Sequence, residues 1–434
     1  MDMARGIKPP SLVRGIADLN EAIRLSICKS RSMHDDLPRC ARANAAGFEL
    51  THADSSHTVF AIRSARTTPT EILLVTFTPS TPLARRPFTS RSGRTLDFTA
   101  IGFGSAPLGN LYRAISNEQA LQTLQEAWAQ QIRYFDTAPL YGLGIAETRI
   151  GAFLREMPRD DYLLSTKVGR VLKRSTSEAR EGIGKFFDVP ARQVVYDYSY
   201  DGVMRSFEMS FERLGLDRID IVLCHDIDIF THGSAQASAQ RTREFLDGGV
   251  RALSDLRSQG VVSAIGLGVN EWQVSETVAR HTDVDLFLLA GRYTLLEQES
   301  LDSFLPLCEK KGMGVIIGGP FNSGILATGP KPGAYFNYEP ASAEILQRVG
   351  AIEAVCNAHG VALRDAALQF PLMHPAVVNV IPGASTPAEV RGNVEAMKRP
   401  IPAALWSDLA RRKLLREDAP IAGPADAEGR SPAR

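Results

Sequence analysis

The chain has 434 residues, 44% of them apolar and 23% charged, a profile that suits a soluble globular protein with a sizeable core. Its 49 basic and 49 acidic residues cancel, so no long-range field draws it to a nucleic-acid backbone or an anionic membrane, and a small-molecule partner is expected. No run of about 18 apolar residues spans a bilayer, no secretory signal opens the chain, and the five cysteines form no C-x-x-C pair; reduced thiols and a cytoplasmic location are therefore expected.

In chain order, residues 1–90 carry no sustained helical or strand period and are rich in Ser, Thr and Arg. A helix around Leu12 to Ile27 and a strand-like run at Glu71 to Phe77 are the exceptions. The expectation is an N-terminal extension that is disordered or the product of a translation start placed too far upstream. From 91 to 415 the texture becomes short apolar runs separated by amphipathic stretches, the alternation that builds a parallel sheet. The runs TAIGFG, RYFDTA, YLLSTK, IDIVLCH, VSAIGLG, VDLFLLA, MGVIIGG and VVNVIP are eight candidate strands, which predicts a (β/α)8 TIM barrel over an open doubly wound sheet. Gly102, Gly104 and Gly109 in GFGSAPLG do not make a dinucleotide fingerprint, because Pro107 stands where the helix should begin; they read as a strand end that admits a flat ring, or as a simple turn. Residues 416–434 are expected to be a flexible tail.

The ionisable residues fall at the strand ends. Asp136 closes the second run, Tyr141 follows it, Lys167 closes the third and His225 closes the fourth. In a barrel these ends share one rim, so the four side chains converge over one mouth. Burying charge without partners costs several kcal/mol, on the order of the penalty for an isolated buried ion, so the cluster is better read as catalytic than as packing. Its chemistry suits proton transfer coupled to hydride transfer, with Tyr141 as the proton donor or acceptor. Lys167 is expected to favour the phenolate, Asp136 to hold the lysine, and His225 to orient the substrate oxygen. No His-x-His pair or acid cluster supplies metal ligands, and no metal is expected.

The segments FDTAPLYG, LLSTKVGR and LCHDID, in this order and spacing, resemble the signature segments of the aldo-keto reductase superfamily. The likeness runs over about three quarters of the chain. It implies a (β/α)8 barrel, an Asp-Tyr-Lys-His tetrad at Asp136, Tyr141, Lys167 and His225, and a nicotinamide cofactor bound without a Rossmann motif. It further implies that Asn270 holds the nicotinamide carboxamide, that Pro320, Phe321, Ser323 and Gly324 line the pyrophosphate path, and that the last segment, with Gly383, Glu389 and Asn393, meets the adenosine end. Asn270 could instead simply cap the helix beginning near Glu271.

Where NADPH-preferring relatives carry a lysine and an arginine, this sequence has Gly383 and Glu389, which implies NAD as the preferred cofactor, with NADP open through Arg391. The segments CHDID and LLAGRYTLL look most similar to the branch holding aldose 1-dehydrogenases, L-galactose dehydrogenase and an NAD-dependent pyridoxal 4-dehydrogenase. The implied reaction is oxidation of an aldose anomeric hydroxyl, of the L-fucose type, to a lactone. Asp226 and Asp228 are candidate substrate contacts, with simple solvated acids as the alternative, and Trp272 is a candidate stacking wall or a core residue. Phe186, Phe187, Tyr196 and Tyr198 lie on a long connection suited to a lid. The competing expectations are a broad NADPH-dependent aldehyde reductase and, in another class, a nicotinamide-binding regulatory subunit. The oligomeric state is left open.

Overall fold

The computed structural model describes residues 82–421 apart from 178–179, and the backbone at 59–60 and 75–76. The chain divides into two units, 1–77 and 78–434. In the first, Val59–Phe60 pairs antiparallel with Val75–Thr76. The helix expected over Leu12 to Ile27, the rest of the N-terminal extension and the chain beyond 421 lie outside the described residues.

The second unit is built on eight parallel strands, β1 (Phe103–Gly104), β2 (Tyr134–Asp136), β3 (Leu163–Val168), β4 (Ile221–His225), β5 (Ala264–Val269), β6 (Leu286–Ala290), β7 (Gly314–Gly318) and β8 (Val377–Ile381). They pair in sequence order. Parallel bridges from Ile101 to Val380 and from Gly104 to Gly383 join the first edge to the last, so the sheet curls into a barrel. Six of the eight strands lie within the runs read from the sequence, and β3 and β5 overrun theirs by one residue, at Val168 and Val269; the runs are legible because they are apolar and bounded by turn residues.

The two-residue period of a strand sorts the side chains. On β4, Ile221 and Leu223 join the barrel interior with Tyr134, Ala264, Leu286, Leu288, Ile316, Val378 and Ile381, while Val222 and Cys224 face the surrounding helices. One step further along the inward rows stand Asp136 after Tyr134, Lys167 after Ser165, and His225 after Leu223. The parity that fills the barrel with Leu and Ile therefore delivers an acid, a base and an imidazole to its C-terminal mouth.

The opposite mouth is closed by an antiparallel hairpin, Arg85–Thr89 with Thr95–Thr99. Leu96 and Phe98 enter the barrel interior, with Phe98 edge-on to Tyr134 at 4.9 Å between ring centroids. Arg91 N donates to Asp285 Oδ1 at 2.6 Å, pinning the turn to the start of β6. Residues 85–89, assigned to the extension by the sequence expectation, are thus part of the barrel floor. Only Arg86 and Phe88 of RRPFT are partly buried and the other three residues are exposed, so the segment shows little apolar signal. At the other end, Leu415 and Ala419 are buried, and Arg416 N donates to Gln298 Oε1 at 3.0 Å, so packing continues past 415.

Candidate active site

Lys167 Nζ spends its three N–H groups inside the barrel mouth, donating to Asp136 Oδ2 at 2.7 Å, Thr137 O at 3.0 Å and Tyr141 Oη at 3.1 Å. Asp136 and Lys167 are each 1% exposed. The second carboxylate oxygen of Asp136 accepts from Ser165 Oγ at 2.7 Å, and the Tyr134 hydroxyl lies 2.8 Å from the same serine. Two glycines make this geometry possible. A Cβ on Gly268 would stand 3.2 Å from Lys167 Cε, and one on Gly109 would stand 2.5 Å from the Tyr141 carbonyl carbon, so β5 leaves room for the lysine and the loop after β1 seats the tyrosine. The His225 ring packs edge-on against Tyr141 with centroids 5.9 Å apart. The four residues chosen from the sequence as catalytic are therefore in one cluster.

The electrostatics differ from the expectation in one respect. Burial, reinforced by Asp136 and Asp226, drives the Tyr141 phenol well above the ordinary tyrosine range, with Arg170 opposing. The physical reason is that the Lys167 charge is already matched by Asp136 at 2.7 Å, so the pair presents little net field to the phenol. Tyr141 rests as a phenol whose oxygen accepts from Lys167 and whose own O–H is free to turn to a substrate. Burial also pushes Asp136 above the usual carboxylate range, against the pull of Lys167 and Ser165. Burial, with Arg170 and Lys167, drives His225 far down, so its imidazole is neutral.

Asp226 and Asp228 are buried beneath this rim, contrary to the solvated acids that the sequence alternative described. Asp226 Oδ2 meets Arg170 Nη2 at 2.5 Å and His225 Nε2 at 3.2 Å, while its Oδ1 accepts from Asn270 Nδ2 at 3.1 Å. Asp228 Oδ1 accepts from Thr231 N at 2.9 Å, and its Oδ2 from Asn270 N at 2.6 Å. Asn270 thus points at two acids and does not cap the helix Trp272–His281, whose N-terminus has no side-chain cap. Trp272 packs against the helical core and is absent from the cavity wall. Arg170 is a member of the site that sequence reasoning passed over; it lies in LLSTKVGR three positions after Lys167, with nothing local to set it apart.

A cavity of about 620 Å³ opens over Asp136 and Tyr141 and runs across the ends of β6, β7 and β8. Its wall includes Asn270, Pro320, Phe321, Ser323, Gly324, Gly383, Glu389 and Asn393, all eight residues assigned from the sequence to the cofactor. The volume lies within the roughly 300–1,000 Å³ of ligand clefts. Gly383 has a packing reason of its own, since a Cβ there would stand 2.9 Å from Pro107 Cγ. Glu389 closes a capping box with Thr386, and its Oε2 accepts from Ser385 N at 2.7 Å. Arg391 is turned away to Glu126 at 2.8 Å and is not in the wall. Arg364, which no sequence motif marked, is in the wall: its Nη2 donates to Asn393 Oδ1 at 2.6 Å, and its Nε has no partner among the described residues. A buried orphan donor at the end of a long trough is what an anionic or hydroxyl-rich ligand would satisfy.

The long connection after β3 folds as a hairpin, Arg170–Arg174 with Arg192–Tyr196, that brings Arg170 over the mouth. Phe186 packs on Tyr141 at 6.3 Å and Tyr198 is fully buried, so both back the site and neither lines the cavity. Among the described residues no helix is long and apolar enough to cross a membrane, and no group of three or more His, Cys, Asp or Glu side chains is placed to hold a metal.

Comparison with known proteins agrees with this geometry. Residues 100–411 match the aldo/keto reductase family. The chain is 42% identical over 341 residues to pyridoxal 4-dehydrogenase of Microbacterium luteolum, covering 74% of this chain and 96% of that one. It is 40% identical over 324 residues to a D-threo-aldose 1-dehydrogenase from a Pseudomonas species, covering 74% and 95%. It is 31% identical over 307 residues to L-galactose dehydrogenase of Arabidopsis thaliana, covering 70% and 85%. In three dimensions it resembles the holo form of an aldo-keto reductase from Bacillus halodurans, with a TM-score of 0.60, 24% identity and coverage of 77% and 97%. The chain belongs to the aldo/keto reductase family and is an oxidoreductase.

Proposed function

We propose that this aldo/keto reductase oxidises a cyclic hemiacetal to a lactone, with an aldose such as L-fucose as substrate and NAD as hydride acceptor. The observation that carries the reading is the buried Asp136–Lys167–Tyr141 chain opening onto a cavity that continues to Arg364. Three relatives at 31% identity or more act on pyridoxal, an aldose or L-galactose by name. All three substrates can close to a ring bearing a hemiacetal carbon, and loss of hydride from that carbon gives a lactone. Pyridoxal is thus the second substrate to test, in the same reaction class.

The residues divide the work. Oxidised nicotinamide, when bound, supplies the hydride acceptor. Tyr141, held by Lys167, takes the hydroxyl proton once it is a phenolate. Because burial makes that form scarce, oxidation should quicken as the medium becomes more alkaline. Neutral His225 orients the substrate oxygen without adding a competing charge. At the adenosine end, the Glu389 carboxylate stands in the same wall as Arg113 and Arg364 and repels a 2′-phosphate that carries about −1.5 to −2 charges; this supports NAD over NADP. The test is a substrate panel of L-fucose, D-arabinose, L-galactose and pyridoxal with each cofactor. A lower KM for NADP than for NAD would overturn the cofactor assignment.

A further inference from the structure

We propose that Tyr338 is a specificity-determining residue, whose phenol hydroxyl hydrogen-bonds the substrate hydroxyl on the carbon next to the one oxidised. It deepens the proposed oxidation and rests on that reading for its choice of a hydroxyl-bearing substrate. Tyr338 lies on the connection between β7 and β8, half-buried in the wall of the cavity that holds Asp136 and Tyr141. Asn337 has φ +53° and Tyr338 φ +66°, two successive residues in the left-handed region. A side chain as bulky as tyrosine is an outlier there, and backbone strain of this kind collects at ligand sites.

The turn is tied from three connections. From the one after β6, Arg292 Nη2 donates to Asn337 Oδ1 at 2.8 Å, and Arg292 is itself paired with Glu297 at 2.9 Å. From the one after β7, Ser323 Oγ accepts from Tyr338 N at 2.9 Å. From the one after β3, Lys185 Nζ donates to the Tyr338 carbonyl oxygen and pairs with Glu339 at 3.0 Å, while the Lys185 carbonyl accepts from Tyr112 N at 2.8 Å. Tyr338 is therefore committed at both its N–H and its C=O, and its side chain stands on a fixed base.

What this base presents is a phenol with no task inside the protein. The bonds of the turn run through its backbone and through Asn337, and the Tyr338 hydroxyl makes no hydrogen bond among the described residues. Burial, reinforced by Tyr141, Asp226 and Tyr112 and opposed by Arg292, pushes this phenol far up, so it stays a neutral donor in the field of the catalytic group. Its ring is braced by the exposed Phe230, with centroids 6.0 Å apart. Tyr141 serves the hydroxyl that is oxidised, and a second phenol in the same wall serves that hydroxyl's neighbour. A site built to pair a substrate hydroxyl disfavours the analogue that lacks it, because its own polar group is then left unmatched.

The experiment compares substrates that differ by that one hydroxyl, on the purified full chain. The pairs are D-arabinose against 2-deoxy-D-ribose with NAD, and lactaldehyde against propionaldehyde with NADH or NADPH. In each pair the wild type should favour the hydroxylated member in kcat/KM by about 10-fold or more, carried mainly by KM. Tyr338→Phe keeps the ring and should bring the ratio close to unity, with a melting curve to confirm the fold. Lys185→Met keeps the phenol but cuts the tie to its carbonyl, and should lower the ratio by a smaller factor. If D-arabinose gives no lactone while the aldehyde pair keeps its Tyr338-dependent ratio, the hemiacetal reading falls and the role of Tyr338 stands. A wild type with no preference in either pair, or a preference that Tyr338→Phe leaves unchanged, would overturn the proposal.

Discussion

Replacing Asp136 by asparagine removes one charge from the most deeply buried ion pair in the site and leaves its shape intact. Lys167 and Asp136 are each 1% exposed, and both carboxylate oxygens accept hydrogen bonds, from Lys167 at 2.7 Å and from Ser165 at 2.7 Å. Asparagine offers one acceptor oxygen, so one donor is orphaned and the ammonium loses its counter-charge. Breaking a buried pair from one side costs about 3–5 kcal/mol, and the remaining bonds from Lys167 to Thr137 and Tyr141 point to the lower half of that range. Equilibrium unfolding in urea measures it. The double variant Asp136→Asn with Lys167→Met removes the stranded charge and should recover most of the loss, giving a coupling of roughly 2 kcal/mol or more in the double-mutant cycle. A loss under about 1 kcal/mol for the single variant, or additive effects in the cycle, would refute the view that this pair is a dry, mutually dependent unit.

Four further outcomes follow from the same geometry. Tyr141→Phe should lower kcat by about 10²- to 10⁴-fold, the usual share of a general acid or base, while NAD affinity, measured by fluorescence titration, stays within roughly 2-fold. The kcat/KM profile for oxidation should rise toward alkaline pH, since Tyr141 must lose its proton to act as a base and burial holds that phenol far up; His225 adds no limb near neutrality, because it is already neutral. Gly268→Ala sets a methyl 3.2 Å from Lys167 Cε, and should reduce kcat more than it reduces thermal stability, as judged by initial rates beside a melting curve. Glu389→Gln preserves the capping box, which glutamine also forms, and removes an exposed carboxylate worth about 1 kcal/mol of repulsion toward a 2′-phosphate. NADP use should improve roughly 5-fold relative to NAD in steady-state kinetics.

Much of the barrel is visible in the linear chain, because strand ends and inward parity follow from a period of two, and the same parity brings Asp136, Lys167 and His225 to one mouth. Tyr141 is legible from the loop that directly follows β2. What escapes is whatever depends on a partner distant in sequence. Asp226 reads as a solvated acid until the hairpin carrying Arg170 folds over it. Arg364 opens an ordinary helix, and only the return of β8 places it beside Asn393. The floor hairpin is hidden because Leu96 and Phe98 are its sole buried strand residues with a strong apolar signature, and Arg85 to Thr89 adds only the partly buried Phe88. The expected drop in the Tyr141 pKa fails for a related reason: proximity to Lys167 was foreseeable, but its near-cancellation by Asp136 is a matter of distance.

The central claim is lactone formation from a cyclic hemiacetal by the Tyr141–Lys167 pair, and it is tested most directly by product analysis. The purified full chain is incubated with NAD and with L-fucose, D-arabinose, L-galactose or pyridoxal, while reduced cofactor is followed by absorbance and lactone by mass spectrometry. The account predicts stoichiometric lactone and reduced NAD from at least one of the four, lost in Tyr141→Phe. Reduction of simple aldehydes by NADPH with no lactone from any of the four would contradict it.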